Sequence, residues 1–110
     1  LTDEDAKVVA HVLSVSEVLT TLILAYNNIQ DQGAIALADA LKFNGVLTTL
    51  CLQGNKIGAA GAVAIADALS VNTVLTTLNL RSNCIGDRGA VAIAEVLKGY
   101  VALKELWLFN

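Results

Sequence analysis

The chain has 110 residues, 55% of them hydrophobic, with seven Lys/Arg against ten Asp/Glu, a single His and a formal net charge of −3. An acidic balance with no Lys/Arg cluster carries no electrostatic footprint for nucleic acid or for an anionic membrane surface. Mean hydropathy is high, +0.64, yet charges interrupt every apolar stretch, and none approaches the roughly 18 continuous apolar residues of a spanning helix.

The first predicted element is a helix within residues 1–17. Thr2 followed by Asp3, Glu4 and Asp5 is a good acidic start, and Ala6, Val9, Ala10 and Leu13 recur on one face. Then the phrase Val-Leu-Thr-Thr-Leu-x-Leu appears at Val18–Leu24, returns at Val46–Leu52 and Val74–Leu80, and decays to Ala-Leu-Lys-Glu-Leu-Trp-Leu at Ala102–Leu108. Leu19, Leu47, Leu75 and Leu103 are each 28 residues apart (47−19 = 75−47 = 103−75 = 28). A fixed period of this size marks a stack of repeats.

Within each unit the alternation around Leu22 and Leu24 predicts a short strand, with 22 and 24 inward and 21, 23 and 25 outward. Asn27, Asn55 and Asn83 follow, then an Ile, then Gly33, Gly61 or Gly89 in an expected tight turn. From about residue 33 the period becomes helical: Ala34, Leu37, Ala38 and Leu41, repeated as Ala62, Ile65, Ala66 and Leu69 and as Ala90, Ile93, Ala94 and Leu97. Asn44 and Asn72 are expected as left-handed residues closing the helices. The boundaries are thus a half unit 1–17, full units 18–45, 46–73 and 74–101, and a terminal strand 102–110. Strands in the same phase must run parallel, with each helix as the crossover. The expected fold is α/β: a right-handed solenoid with a curved parallel sheet inside and helices outside, because strands ~4.8 Å apart carry helices roughly 8–10 Å apart.

The pattern Leu-x-x-Leu-x-Leu-x-x-Asn-x-Ile-Gly-x-x-Gly-Ala, best kept at Leu75–Leu97, resembles the leucine-rich repeats of the ribonuclease-inhibitor class along essentially the whole chain. Its uniform units, rich in Gly-Ala-x-Ala, look more like the repeats of NOD-like receptors than like ribonuclease inhibitor. The resemblance implies a non-catalytic scaffold for protein recognition, and GTPase activators of the Ran type share it. It also implies that Asn27, Asn55 and Asn83 form an inward ladder bonding loop backbone.

A function would be written on the outward strand columns. These read Thr21, Thr49, Thr77, Glu105; then Ile23, Cys51, Asn79, Trp107; then Ala25, Gln53, Arg81, Phe109, with Tyr26, Gly54, Ser82 and Asn110 on one rim and the Thr20, Thr48, Thr76 and Lys104 row on the other. The candidate binding residues are Arg81, Glu105, Trp107, Phe109, Asn79, Gln53 and Tyr26. Trp and Arg are enriched at binding hot spots. Two readings of the C-terminal cluster stand side by side: a recognition patch, or aromatics that pack under a following unit. The Thr columns read as β-propensity on a solvated face.

No catalytic constellation, phosphate-cradling glycine motif, cofactor or metal site is expected; His11 belongs on a helix surface, and Cys51 and Cys84 fall in different phases of the repeat. Free thiols favour a reducing, cytoplasmic setting. The chain starts at Leu1 and contains no Met, so it is expected to be part of something longer. The partner is expected to be a protein, with neither nucleic acid nor membrane involved. Alternatives are a fragment of a Ran-type GTPase activator, or a structural or engineered piece without a ligand, since residues 46–73 and 74–101 share 16 of 28 positions. Uncapped ends predict self-association.

Overall fold

A computed structural model describes residues 1–99 and 102–109. The expected 28-residue rhythm is present as alternating helices and strands: α1 (Asp3–Val15), β1 (Thr21–Ile23), α2 (Asp31–Leu41), β2 (Thr49–Cys51), α3 (Ala59–Val71), β3 (Thr77–Asn79), α4 (Gly86–Leu97) and β4 (Glu105–Trp107). The strands form one open sheet in the order β1-β2-β3-β4, every pair parallel. Register follows the period: Thr21 pairs with Thr49, Thr49 with Thr77, and Thr77 with Glu105. The fold is therefore an α/β repeat solenoid, each helix carrying the chain from one strand to the next.

The core is the layer between sheet and helices. Leu47, Leu50, Leu52, Leu75, Leu78 and Leu80 are all buried, as are Ile57 and Ile65. Their counterparts in the terminal strands, Leu22 and Leu106, are only half-buried. This gradient is what a one-dimensional stack produces, since an inner unit is covered from two sides and a terminal one from one. The helical columns show the same effect: Ala62, Ile65, Ala66 and Leu69 are buried, whereas Ala94 and Leu97 in α4 are exposed.

Small residues set the helix spacing. Gly33, Gly61 and Gly89 lie inside the first turns of α2, α3 and α4, not in a preceding turn as their sequence position suggested. A Cβ on Gly61 would stand 3.0 Å from the Ala34 Cβ of the neighbouring helix and 2.7 Å from Ile57 Cγ2. The same pairing recurs between Gly33 and Ala6 and between Gly89 and Ala62.

The helices are capped across repeats. Asp3 Oδ1 accepts from the Gln30 amide (2.6 Å) at the start of α2, and Asp31 Oδ1 accepts from the Gly58 and Gly61 amides (2.7 and 3.0 Å) at the start of α3. These carboxylates satisfy amides that a helix start leaves unpaired and lie at its positive end. In the next unit the position holds Ala59, and Gly86, the counterpart of Gly58, turns to φ 67° from φ −100°. The other left-handed residues, Tyr26, Gly54 and Ser82, form one column just past the strands.

Asn44 and Asn72 do not close their helices in the left-handed region; Asn72 is extended, at φ −77° and ψ 127°. Both are buried and form a second ladder. Asn72 Nδ2 donates to the Leu41 carbonyl of the preceding unit (2.7 Å), while its Oδ1 accepts from Val74 and Leu75 (2.9 and 2.7 Å). Asn44 repeats this with Leu13, Val46 and Leu47.

Candidate functional site

The expected asparagine row faces inward behind the strands. Asn55 Nδ2 donates to Leu24 and Leu52 carbonyls, both at 3.0 Å, and Oδ1 accepts from the Ile29 amide at 3.1 Å. Asn83 makes the equivalent bonds to Leu52, Leu80 and Ile57. Asn27 bonds Leu24 and accepts from the Leu1 nitrogen, in the column one unit earlier than Ile29. These side chains supply partners to backbone that the sheet does not use.

The opposite, open face of the sheet presents the outward columns. Alternation along each strand places Thr49, Cys51 and Gln53 on that side while Leu50 and Leu52 fill the core. The two threonine rows differ in role. Thr48 and Thr76 hydroxyls donate to the Thr20 and Thr48 carbonyls of the preceding strand (3.1 and 3.2 Å), reinforcing the sheet edge-on. The Thr21, Thr49 and Thr77 row faces outward.

Five of the seven candidate binding residues form one connected line across the strands. Gln53 Nε2 donates to the Tyr26 hydroxyl (3.0 Å), Asn79 Nδ2 donates to Gln53 Oε1 (3.1 Å), and the Arg81 amide donates to Asn79 Oδ1 (3.0 Å). The Arg81 guanidinium then lies over the Trp107 ring, with Cζ 5.5 Å from its centroid. Stacking goes to Trp107, although counting by the period pairs Arg81 with Phe109. Tyr26 reaches Gln53 across Gly54, where any Cβ would collide with its ring. Its own backbone is left-handed, φ 58°, an uncommon conformation for a bulky residue.

Glu105 and Phe109 stay outside this line. Glu105 is exposed beside Thr77, and Phe109 is 66% exposed beyond β4. Tyr26 and Trp107 are also open, 72% and 44% exposed. The rim residue Asn110 lies outside the described residues. Cys51 is half-buried and Cys84 exposed, both free thiols, and His11 is an exposed residue of α1. Among the described residues no group of His, Cys, Asp or Glu could hold a metal ion, and no helix is long and apolar enough to cross a membrane.

Sequence reasoning named the line's members but missed their connection. Each amide was visible as an outward residue; that Gln53 would reach both Tyr26 and Asn79 depends on side-chain rotamers and on Gly54 leaving room for the ring. The second asparagine ladder did leave a signal, the 28-residue column Ser16, Asn44, Asn72.

A parallel stack of near-identical strand–helix units, with a leucine core on one side of the sheet and a polar and aromatic face on the other, defines a repeat scaffold. The leucine-rich repeat family matches residues 15–38, 43–66 and 71–94, and the chain belongs to that family. Among solved structures it is similar to one described as the actin-binding site 2 of leiomodin-1, with TM-score 0.88 and 31% identity over all of this chain. The chain spans 64% of that structure's length. No curated protein matches it.

Proposed function

We propose that the chain is a non-catalytic protein-recognition module that binds its partner on the open face of the sheet. The observation that carries this reading is the line Tyr26–Gln53–Asn79–Arg81–Trp107. It runs from the residue column just past β1 to β4, links its polar members by hydrogen bonds, and ends on exposed aromatics. Preformed polar positions flanked by rigid aromatics lower the ordering cost of binding. Membership in a family that generally mediates protein–protein interaction supports the same reading. The uniform Gly-Ala-x-Ala units favour the ribonuclease-inhibitor class of the family, of the NOD-like-receptor type, and a cytoplasmic setting accords with the two free thiols.

The likeness to the actin-binding site 2 of leiomodin-1 favours a more specific partner, actin. Co-sedimentation with filamentous actin, and gel filtration with monomeric actin, test it. Saturable binding that is lost in a Tyr26→Ala/Trp107→Ala double variant and kept in Asp67→Ala, on the helix face, is the expected result. Binding that ignores the double variant would move the site off the open face, and absence of binding to either form of actin would remove actin as the partner.

A further inference from the structure

We infer that the C-terminal half of the open face is built to receive a carboxylate-bearing, acidic segment of a partner protein, with Arg81 as its anchor. The inference rests on the open-face reading above and names the chemistry of what binds there.

Three observations converge on Arg81. First, its Nε is enclosed by the protein and has no hydrogen-bond partner. A buried guanidinium N–H left unpaired costs free energy, and in native structures such a group calls for an explanation. Second, the guanidinium carbon lies over the Trp107 ring, 5.5 Å from its centroid, and the Arg81 backbone amide is tied to Asn79. Both contacts restrict the side chain, and a restricted guanidinium takes a carboxylate through two parallel N–H···O bonds at lower ordering cost. Third, the molecule segregates its charge. Ion pairs among the described residues are Lys7–Glu4, Lys42–Asp39 and Lys98–Glu95, all on or beside helices, and Arg81 belongs to none of them. Asp3, Glu4, Asp5, Asp31, Asp39, Asp67, Asp87 and Glu95 are helix residues and Glu17 follows α1, so the strands contribute Glu105 alone. Against it stand Arg81 and Lys104. An acidic protein of net charge −3 thus places Arg81 and Lys104 against one carboxylate on the side of the sheet that carries Tyr26, Trp107 and Phe109. An acidic segment meets complementary charge there and like charge elsewhere.

The probe is an acetylated, amidated hexaglutamate peptide titrated at low salt into the 15N-labelled 110-residue chain. Trp107 is the sole Trp, so its indole N–H needs no assignment, and the other arginine, Arg88, is assigned by an Arg88→Lys variant. The expected result is a saturable, concerted shift of the Trp107 indole and Arg81 Nε–H signals that hexalysine does not produce. Arg81→Gln should weaken affinity on the order of tenfold. Arg81→Lys, which keeps charge and stem but not the fork, should weaken it as well, and Arg88→Gln on α4 should leave it unchanged. Equal losses in Arg81→Gln and Arg88→Gln, or no shift at either resonance, would overturn the inference. If the peptide fails while a protein partner is still lost on Trp107→Ala, the carboxylate anchor falls and the open-face reading survives.

Discussion

Asn55 bonds two carbonyls from different repeats and one amide with a single side chain, and on the other rim Asn72 bonds the Leu41 carbonyl of the preceding repeat and the amides of Val74 and Leu75 in its own. Truncating either leaves buried backbone groups without partners, so Asn55→Ala and Asn72→Ala should each cost about 1–3 kcal/mol in urea unfolding. Asn27→Ala should cost less, because Asn27 is half-buried and water can replace part of what is lost. A midpoint unmoved in Asn72→Ala would remove the second ladder from the account. Asp5 makes a smaller, pH-dependent contribution. The Thr2 amide (2.9 Å) and hydroxyl (3.2 Å) donate to its Oδ2 and hold its pKa below the ordinary 3.8. A depressed folded-state pKa means stability present above the unfolded value and lost as pH falls through the folded one. An NMR titration should show the Asp5 carboxyl protonating at a lower pH than in Thr2→Ala, where the hydroxyl donor is gone. The first asparagine row was legible because the period and the family pattern coincide there. Asn44 and Asn72 were visible as a column, but an asparagine after a helix reads equally well as a left-handed cap; only the carbonyls of Leu13 and Leu41, one unit away, decide between the two.

At the scale of elements, α2 and α3 each start on a carboxylate from the unit before. Asp31 caps α3, and Ala59 breaks the series ahead of α4. Ala59→Asp should therefore stabilise the chain by about 0.5–2 kcal/mol, the usual worth of an N-terminal cap, and raise its melting temperature. A neutral or lower melt would show that the φ 67° turn at Gly86 satisfies those amides already. Helix contact makes the opposite demand. Gly61→Ala gains up to about 1 kcal/mol of helix propensity, but its Cβ would stand 3.0 Å from Ala34 Cβ and 2.7 Å from Ile57 Cγ2, and overpacking costs about 1–3 kcal/mol. The loss should win. Gly45→Ala meets nothing within 4 Å and is the matched control, expected to be neutral or slightly stabilising in the same melt. The strands and helices themselves were readable from alternation and from the i, i+3, i+4, i+7 pattern. Their caps were not, since a cap residue 27 positions upstream of the amide it serves lies outside any local window.

For the whole molecule, stability comes from stacking, and coverage decides what each leucine contributes. Leu50→Ala in an inner strand falls in the roughly 2–5 kcal/mol range of core truncations, while Leu22→Ala in half-covered β1 should lose distinctly less. The open sheet has the further consequence that β1 and β4 each pair on one side only among the described residues. Parallel strands with free edges invite pairing with another copy. Light scattering of the 110-residue chain should show apparent mass rising with concentration, and Ile23→Lys, which places a charge on the exposed side of β1, should reduce the rise. A clean monomer at high concentration would show that these edges do not pair.

Repetition made the architecture legible: a phrase returning every 28 residues forces each unit to lie against its neighbour in the same orientation, because no unit alone can cover its leucine side. From that follow the parallel register, the layer of Leu and Ile, and the sorting of outward from inward residues. What the stack alone decided were contacts between side chains of different units: Asp31 on the α3 amides, Gly61 against Ala34, Gln53 between Tyr26 and Asn79, and the Arg81 guanidinium on Trp107. Each depends on a rotamer and a distance between repeats, and these exist only once the helices have come to rest at the spacing their small residues permit.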